Sequence, residues 1–285
     1  MSAAVSPHPS LRLARLEKPA TIDDVLRNID QVIAWAIETE SRIGYFAALY
    51  KRTTVAIRKA IKDGVFDDGP RIEQLDLVFA TRYFNALNAY FYPDDHQPPT
   101  VPWEVAFVGD QNHKPIILQQ MMTGLNAHIT FDLGLAVVAI AANSLNTLEN
   151  DFNRVNAILA SQVPGTLDVI DQLSPDLRWI RRLTPEVWVI RRVLKKLRKS
   201  AWYFAICLAM HPDGAREKQL HQAAWAGALG SWYLQPPKRF TPFPRLVRVI
   251  GKRESRDVAA NIRALEGITN TPDEMNRAFL LPPLR

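Results

Sequence analysis

The chain of 285 residues is 47% hydrophobic and 22% charged, which is ordinary for a folded globular protein and excludes an intrinsically disordered one. Its net charge of +6 indicates a long-range attraction to phosphates or anionic lipid without specifying either. The single cysteine, Cys207, excludes an internal disulfide and a thiolate metal cluster. We expect a cytoplasmic protein, because the N-terminus lacks the apolar run of a signal peptide and no stretch reaches roughly 18 consecutive uncharged apolar residues.

Helical signals dominate the first third of the chain. Thr21 and Asp24 form a capping box at the start of the first periodic stretch, and Pro70 suits the first turn of a later one. Residues 93–115 are rich in prolines at their start and are predicted to form a loop. The helices predicted here cover residues 22–42, 43–63 and 70–92.

Helical periodicity continues to residue 234, and the composition then becomes proline-rich and basic, with one helix predicted near 255–266. The sequence therefore predicts an all-α protein with a single multi-helix, bundle-like domain and an irregular basic C-terminal tail. Its parts are a flexible N-terminal segment (1–20), a helical core (21–234) and the tail (235–285). The helices predicted in the second part of the core cover residues 116–142, 145–161, 166–173, 186–210 and 215–234.

Two polar residues fall on the apolar face of the helix predicted at 116–142. His128 and Asp132 are spaced i, i+4, so both side chains face the same way and can reach one point. This arrangement suits either two ligands of a divalent metal such as zinc, iron or manganese, or a histidine base oriented by a carboxylate. A metal would need a further protein ligand, for which Glu40, Glu73 and Asp76 are candidates, with His221 a fourth.

Carboxylates also fall on apolar faces of the first and third predicted helices. Glu40 lies in the middle of the apolar stripe of the helix predicted at 22–42. Glu73 and Asp76 lie in the apolar arc of the third helix, with Arg82 at its edge. We therefore expect Glu73 and Asp76 to act as ligands or acids, and Arg82 with Tyr83 to hold an anionic or carbonyl part of a substrate.

A purely structural interpretation of these residues stays open. A buried His–Asp pair and an Arg–carboxylate pair can form a satisfied polar network that only fixes the helices in register. The chain contains no glycine-rich phosphate loop, no G-x-S-x-G sequence and no H-E-x-x-H sequence. The familiar nucleotide-binding, serine-hydrolase and zinc-protease interpretations therefore have no support.

Several segments resemble a bacterial family of uncharacterised helical proteins, a domain of unknown function. The most specific is Gly-Leu-Asn-Ala-His-Ile-Thr-Phe-Asp-Leu at 124–133, and Phe-Ala-Thr-Arg-Tyr at 79–83 and Gly-Tyr-Phe-Ala-Ala-Leu-Tyr at 44–50 also match. The resemblance covers about residues 40–210 and implies the helical fold without implying an activity. It makes the following residues site candidates: Arg71, Glu73, Arg82, Tyr83, Asn126, His128 and Asp132.

The segment from residue 178 to 199 carries nine Lys or Arg residues against one acid. On a helical wheel, Arg191, Arg192, Lys195, Lys196, Arg198 and Lys199 occupy one side of the helix predicted at 186–210. Such a helix can lie against an anionic membrane surface, or it can be a solvated charged face packed on the domain. Nucleic acid is disfavoured as a partner because no recognition motif accompanies the charge.

Two functions are compatible with the sequence. The first is an intracellular enzyme with a buried His/Asp/Glu/Arg site that acts on a small apolar molecule by metal-assisted or acid–base chemistry. The second is a helical protein that binds lipid or a membrane surface without chemistry. For the enzyme, the expected catalytic residues are His128, Asp132, Glu73, Asp76 and Arg82, the expected substrate-binding residues are Tyr83, Asn126, Arg71 and Tyr50, and the expected metal ligands are His128, Asp132, Glu73 and Glu40.

Overall fold

A computed structural model of the chain describes residues 12–111, 115–141, 144–183, 186–237 and 243–280, and within these ranges all regular secondary structure is helical. The predicted all-α fold is thereby confirmed. The α-helices are α1 (Ile22–Glu38), α2 (Ile43–Lys62), α3 (Gly69–Phe91), α4 (Val101–Gln111), α5 (Ile117–Asn126), α6 (Leu133–Ala141), α7 (Leu145–Leu173), α8 (Pro175–Leu183), α9 (Glu186–Met210), α10 (Ala215–Leu234), α11 (Phe243–Arg253) and α12 (Val258–Glu266).

The start of α1 follows the sequence signal, but its end does not. Thr21 Oγ1 accepts from the Asp24 backbone N–H at 3.2 Å, and the Asp24 carboxylate accepts from Thr21 N–H at 2.8 Å. The helix ends at Glu38, and Glu40 adopts a left-handed conformation with φ of 53° and is exposed. The prediction that Glu40 lies within a buried stripe is therefore wrong, because the helical wheel was extended past the true end of the helix.

The turn between α2 and α3 is fixed by a buried carboxylate from α7. Asp151 is 2% exposed and accepts the backbone N–H groups of Asp67 and Asp68 at 2.8 and 2.9 Å. Arg154 donates to the same carboxylate at 2.7 Å. Asp68 in turn caps α3 by accepting from Arg71 N–H. These bonds hold the N-terminus of α3 against α7.

Helix α4 lies within the segment predicted to be a loop. Pro102 occupies its first turn, where a missing N–H costs nothing, and Trp103 donates its backbone N–H to Thr100 O at 2.8 Å. The side chains of Trp103 and Phe107 are each 2% exposed. Burial of these two rings stabilises a helix that is too short to be recognised from periodicity alone.

Helices α5 and α6 are joined without a break by a π-helical segment, Ala127–Asp132. The combined helix, Ile117–Ala141, is the one helix of the described chain long and apolar enough to cross a membrane by length and composition. Of its most apolar stretch of 18 residues, 72% is buried inside the protein, as is common for a core helix. The stretch still contains no run of roughly 18 consecutive uncharged apolar residues, because Gln119, Asn126, His128 and Asp132 interrupt it.

The two helices predicted at 145–161 and 166–173 form one helix, α7, which continues through Pro164. Helix α2 packs against α1, α3, α5, α7 and α12 and so lies at the centre of the fold. Gly44 permits the contact with α12, because a Cβ at this position would lie 2.5 Å from Ile262 Cδ1. This arrangement leaves the middle of α2 facing α3, α5 and α7.

Both ends of the described chain contribute to the core. Leu13 and Leu16 are buried although residues 12–20 form no regular secondary structure. The segment after residue 235 contains two helices, α11 and α12, where one was predicted. Ile250 of α11 and Ile262 of α12 belong to the same hydrophobic cluster as residues of α1 and α2. The C-terminal segment is therefore packed on the helical core.

Candidate functional site

A cavity of about 320 Å³ lies between α2, α3, α5, α7 and α9. This volume is at the lower end of the range of ~300–1,000 Å³ for ligand pockets. Its wall is mostly aliphatic and aromatic, and it reaches the surface near Lys195 and Leu280, which are both exposed. The polar groups of the wall include those of Tyr50, Thr54, Asp76, His128, Asn156 and Arg198.

His128 and Asp132 lie together in the π-helical segment, as their spacing predicts. His128 Nδ1 is 3.5 Å from Asp132 Oδ2, and the two residues are 2% and 1% exposed. The carboxylate of Asp132 also accepts from Arg82 Nε at 2.9 Å and from Trp103 Nε1 at 2.8 Å. Since this carboxylate is an acceptor, the imidazole is oriented with Nδ1–H toward Asp132 and its Nε2 lone pair free.

The imidazole of His128 is enclosed by aromatic rings. Phe79 stacks on it with ring centroids 3.5 Å apart, and Tyr50 and Phe46 contact it edge-on at 4.8 and 5.7 Å. Phe46 can take this place because Gly124 has no side chain: a Cβ there would lie 2.7 Å from Phe46 Cγ. Burial lowers the pKa of His128 below its ordinary value, although Asp132 opposes the effect. The histidine is therefore neutral at pH 7.

His128 Nε2 is buried and has no hydrogen-bond partner among the described residues. Buried polar atoms are almost always paired, so an unpaired ring nitrogen in a cavity wall identifies a place where a ligand or a proton can bind. A neutral imidazole with a free nitrogen, backed by a carboxylate, has the arrangement of a general base.

Asp76 contributes a second titratable group to the cavity wall. Burial, with a smaller contribution from the charge of Glu73, raises the pKa of Asp76 to about 7. Its Oδ2 atom is buried without a partner in the described chain. At neutral pH this carboxyl is therefore present in both protonation states and can donate or accept a proton. Tyr50 lines the same cavity, and burial together with the charge of Asp76 raises the pKa of its hydroxyl.

Arg198 is a polar residue of the cavity that sequence analysis did not select. Its side chain was assigned to the solvated face of the basic helix, but it is 3% exposed and lines the cavity. The position is one helical turn after Leu194 and one before Ala201, both of which are on the apolar side of α9. That spacing was the signal that could have identified it.

Other predicted site residues lie outside the cavity wall. Glu73 accepts the backbone N–H of Ile22 at 3.2 Å and so anchors the start of α1. Asn126 donates to Ala226 O at 2.7 Å and accepts from Thr130, which joins α5 to α10. Arg71 donates to Thr147 Oγ1 at 2.7 Å and to Ser144 at the start of α7. Tyr83 is buried against Trp103, with its hydroxyl unpaired in the described structure.

The structure does not assemble the predicted metal ligands. Glu40 and His221 are exposed, and Asp132 is already bonded to Arg82 and Trp103. Among the residues that the structure describes, no group of three His, Cys, Asp or Glu side chains is arranged to hold a metal ion. The donor set therefore fits acid–base chemistry better than metal ligation.

The fold and the site define an all-helical protein with an internal, largely apolar cavity whose wall includes His128, the histidine of a buried His–Asp pair. The chain belongs to a family of unknown function, DUF5995, whose model matches residues 22–236. The resemblance to an uncharacterised helical family is thereby confirmed. No curated protein and no solved structure matches the chain.

Proposed function

We propose that the protein is an enzyme that binds a small apolar molecule in the cavity between α2, α3, α5, α7 and α9 and acts on it by acid–base chemistry. The observation that carries this proposal is the unpaired, buried Nε2 atom of His128 in the wall of that cavity. A structural histidine in a satisfied network would have both ring nitrogens bonded. Among the residues that the structure describes, only the nitrogen that faces Asp132 has a partner.

Each polar group has a role in this proposal. His128 Nε2 accepts a proton from the substrate, and Asp132 positions the imidazole and stabilises its protonated form. Asp76 delivers or receives a second proton, because its pKa of about 7 leaves both forms populated at neutral pH. The apolar wall excludes water and so strengthens these polar interactions with the substrate.

The test is a comparison of wild type with His128→Gln on a lipid extract. Each protein is incubated with an organic extract of the producing cells, and the small molecules are quantified by mass spectrometry. We expect at least one apolar component to be consumed by the wild type and left intact by the variant. Leu220→Gln, a change at an exposed position of α10, is the matched control and should behave as wild type. If components are retained by the wild type but never converted, the enzyme proposal fails.

A second function is favoured by the surface near the cavity opening. Lys195 lines the cavity and is exposed, and Arg192, Lys196 and Lys199 of the same helix are exposed as well. Cations beside the entrance to an apolar cavity suit a protein that takes a lipid-like molecule from an anionic membrane surface and carries it without chemistry. Retention without conversion in the experiment above supports this alternative. For either function we propose a cytoplasmic location, peripheral to the membrane, which fractionation of the producing cells tests.

A further inference from the structure

Arg198 is a buried cation for which the described structure supplies no counter-charge. Its side chain is 3% exposed and contributes to the cavity wall. The Nε and Nη2 atoms have no hydrogen-bond partner among the described residues. The guanidinium lies over the ring of Phe152, with its Cζ atom 5.1 Å from the ring centroid. The contact with the ring covers one face of the guanidinium but provides no hydrogen-bond acceptor for its N–H groups.

An unpaired buried charge is costly, and proteins rarely retain one without a use. Leaving a charged group buried and unpaired strongly destabilises the folded state relative to the paired arrangement. Burial lowers the pKa of Arg198 to about 9, which still leaves the side chain protonated at neutral pH. The cavity therefore contains a positive charge whose Nε–H and Nη2–H donors have no acceptor among the described residues.

The geometry of the Arg198 guanidinium restricts the chemical class of acceptor that it can bind. Its planar fork of N–H groups matches the two oxygens of a carboxylate or a phosphate, and it binds them bidentately. The remainder of the wall is largely apolar, with Leu159, Leu194 and Phe279 among its members. A ligand that satisfies both features has one anionic oxygen-acid head group and an apolar chain.

We propose that Arg198 binds the head group of such an amphipathic anion, a long-chain carboxylate or phosphate monoester, while the chain fills the cavity. The inference rests on the proposed function, since it names the class of ligand for the same cavity. Lys195, one turn before Arg198 and exposed at the opening, attracts the same head group during entry. Head-group binding at Arg198 leaves the chain against the wall that contains His128.

The test measures binding by calorimetry on the delipidated full-length protein, with three probes that share a ten-carbon chain. Decanoate carries a carboxylate, decyl phosphate carries a phosphate, and 1-decanol carries no charge. A charge-assisted hydrogen bond is worth roughly 1.5–3 kcal/mol, so we expect at least one anion to bind roughly tenfold to a hundredfold more tightly than decanol. The anion with the greater preference identifies the natural head group as carboxylate or phosphate.

Two variants assign the preference to a residue. Arg198→Gln should bring the affinity for the anion down to that for decanol and leave the affinity for decanol unchanged. Arg216→Gln, at an exposed position of α10, is the matched control and should retain the preference. Removing an unpaired buried charge should not lower the thermal midpoint. If Arg198→Gln nevertheless fails to fold, the wild-type comparison of the three probes still tests the anion subsite.

The outcomes separate this inference from the proposed function. Equal binding of decanol and both anions overturns the anion subsite and leaves the apolar cavity intact as a binding site. A preference that persists in Arg198→Gln overturns the assignment to Arg198. Binding of none of the three probes overturns both proposals, since the cavity would then not accept an apolar chain.

Discussion

The imidazole of His128 and the phenyl ring of Phe79 lie parallel, with ring centroids 3.5 Å apart and an interplanar angle of 7°. Phe79 belongs to α3 and His128 to the π-helical segment, so the stack joins two separate elements of the cavity wall. It covers one face of the imidazole and keeps water away from it. The stack therefore contributes to the burial that holds the histidine neutral.

Removal of the stacked ring should raise the pKa of His128. In Phe79→Leu, water reaches the exposed face of the imidazole, and the desolvation that lowers the pKa is reduced. We expect the pKa to move toward the ordinary value of about 6.5, as followed by NMR of the imidazole. Phe84→Leu, which removes a buried ring of the same helix that does not pack on the His128 imidazole, is the control. An equal pKa change in both variants would contradict a specific effect of the stack.

Two neighbouring charged residues, Asp132 and Arg82, should shift the pKa of His128 in opposite directions. Asp132 raises this pKa and Arg82 lowers it. Asp132→Asn should therefore lower the pKa further, whereas Arg82→Gln should raise it. The same imidazole NMR titration measures both, and shifts of the same sign in the two variants would refute this electrostatic arrangement. Asp132→Asn should also lower stability by about 1–3 kcal/mol, since the Trp103 N–H and the half-buried Arg82 lose a charged acceptor.

Asp76 should make the protein less stable as the pH rises. Its pKa is about 7 in the folded state and 3.8 in the unfolded chain, so the folded state binds the proton more tightly. The resulting stability is complete below about pH 4 and is lost as the pH rises to about 7. Asp76→Asn removes this loss, and at pH 8 we expect a gain on the order of 4 kcal/mol, or roughly 8 °C in thermal midpoint.

Thermal unfolding followed by circular dichroism between pH 5 and 8 measures this difference. The advantage of Asp76→Asn over wild type should shrink as the pH falls. Asp94→Asn, which removes an exposed carboxylate after α3, is the matched control. An advantage that is independent of pH would show that the gain arises from packing and not from the titration of Asp76.

The exposed cations of α9 should bind the protein to anionic vesicles at low salt. Each is expected to contribute about 1 kcal/mol near an anionic surface, so sedimentation with phosphatidylserine-containing vesicles should be strong in dilute buffer and weak at about 1 M salt. Exchange to Gln of all four cations should abolish it. The four are Arg192, Lys195, Lys196 and Lys199.

The matched control for vesicle binding removes the same amount of charge elsewhere. It exchanges to Gln four exposed cations from other parts of the chain, namely Lys18, Lys62, Arg216 and Arg263. If this variant loses binding as much as the α9 variant, net charge alone attracts the protein to the vesicle. Arg191, which the sequence analysis also places on this basic face, lies outside the residues whose side chains the structure describes.

The sequence predicts the parts of the site that depend on local spacing. His128 and Asp132 were paired correctly because residues four apart share a helix face, and the π-helical geometry preserves their contact. Burial of Asp76 was likewise evident from the apolar arc of α3. These features depend on one helix at a time, which periodicity describes well.

The rest of the site depends on contacts between helices that are distant in sequence. Trp103 donates a hydrogen bond to Asp132, which lies 29 positions away in sequence. The short helix that carries Trp103 has no strong periodic pattern of apolar residues. The sequence analysis places Arg198 with the neighbouring cations on the solvent-facing side of the helix because the residue is charged. Its spacing from Leu194 indicates the buried side instead. The prediction for Glu40 is wrong because α1 ends at Glu38, and residues beyond the end of a helix no longer follow its periodicity. The sequence alone does not show which helix faces pack against each other.

The short helical turn at Arg277–Phe279 places Ala278, Phe279 and Leu280 in the wall of the cavity, and Asn276 N–H bonds Ser161 Oγ of α7 at 2.9 Å. These residues lie beyond position 236, where the match to the family ends. The His–Asp pair and Arg198 lie within the matched part. One end of the cavity wall is therefore formed by residues outside the family match, which makes residues 278–280 the place to change the length of chain that the proposed binding site accommodates.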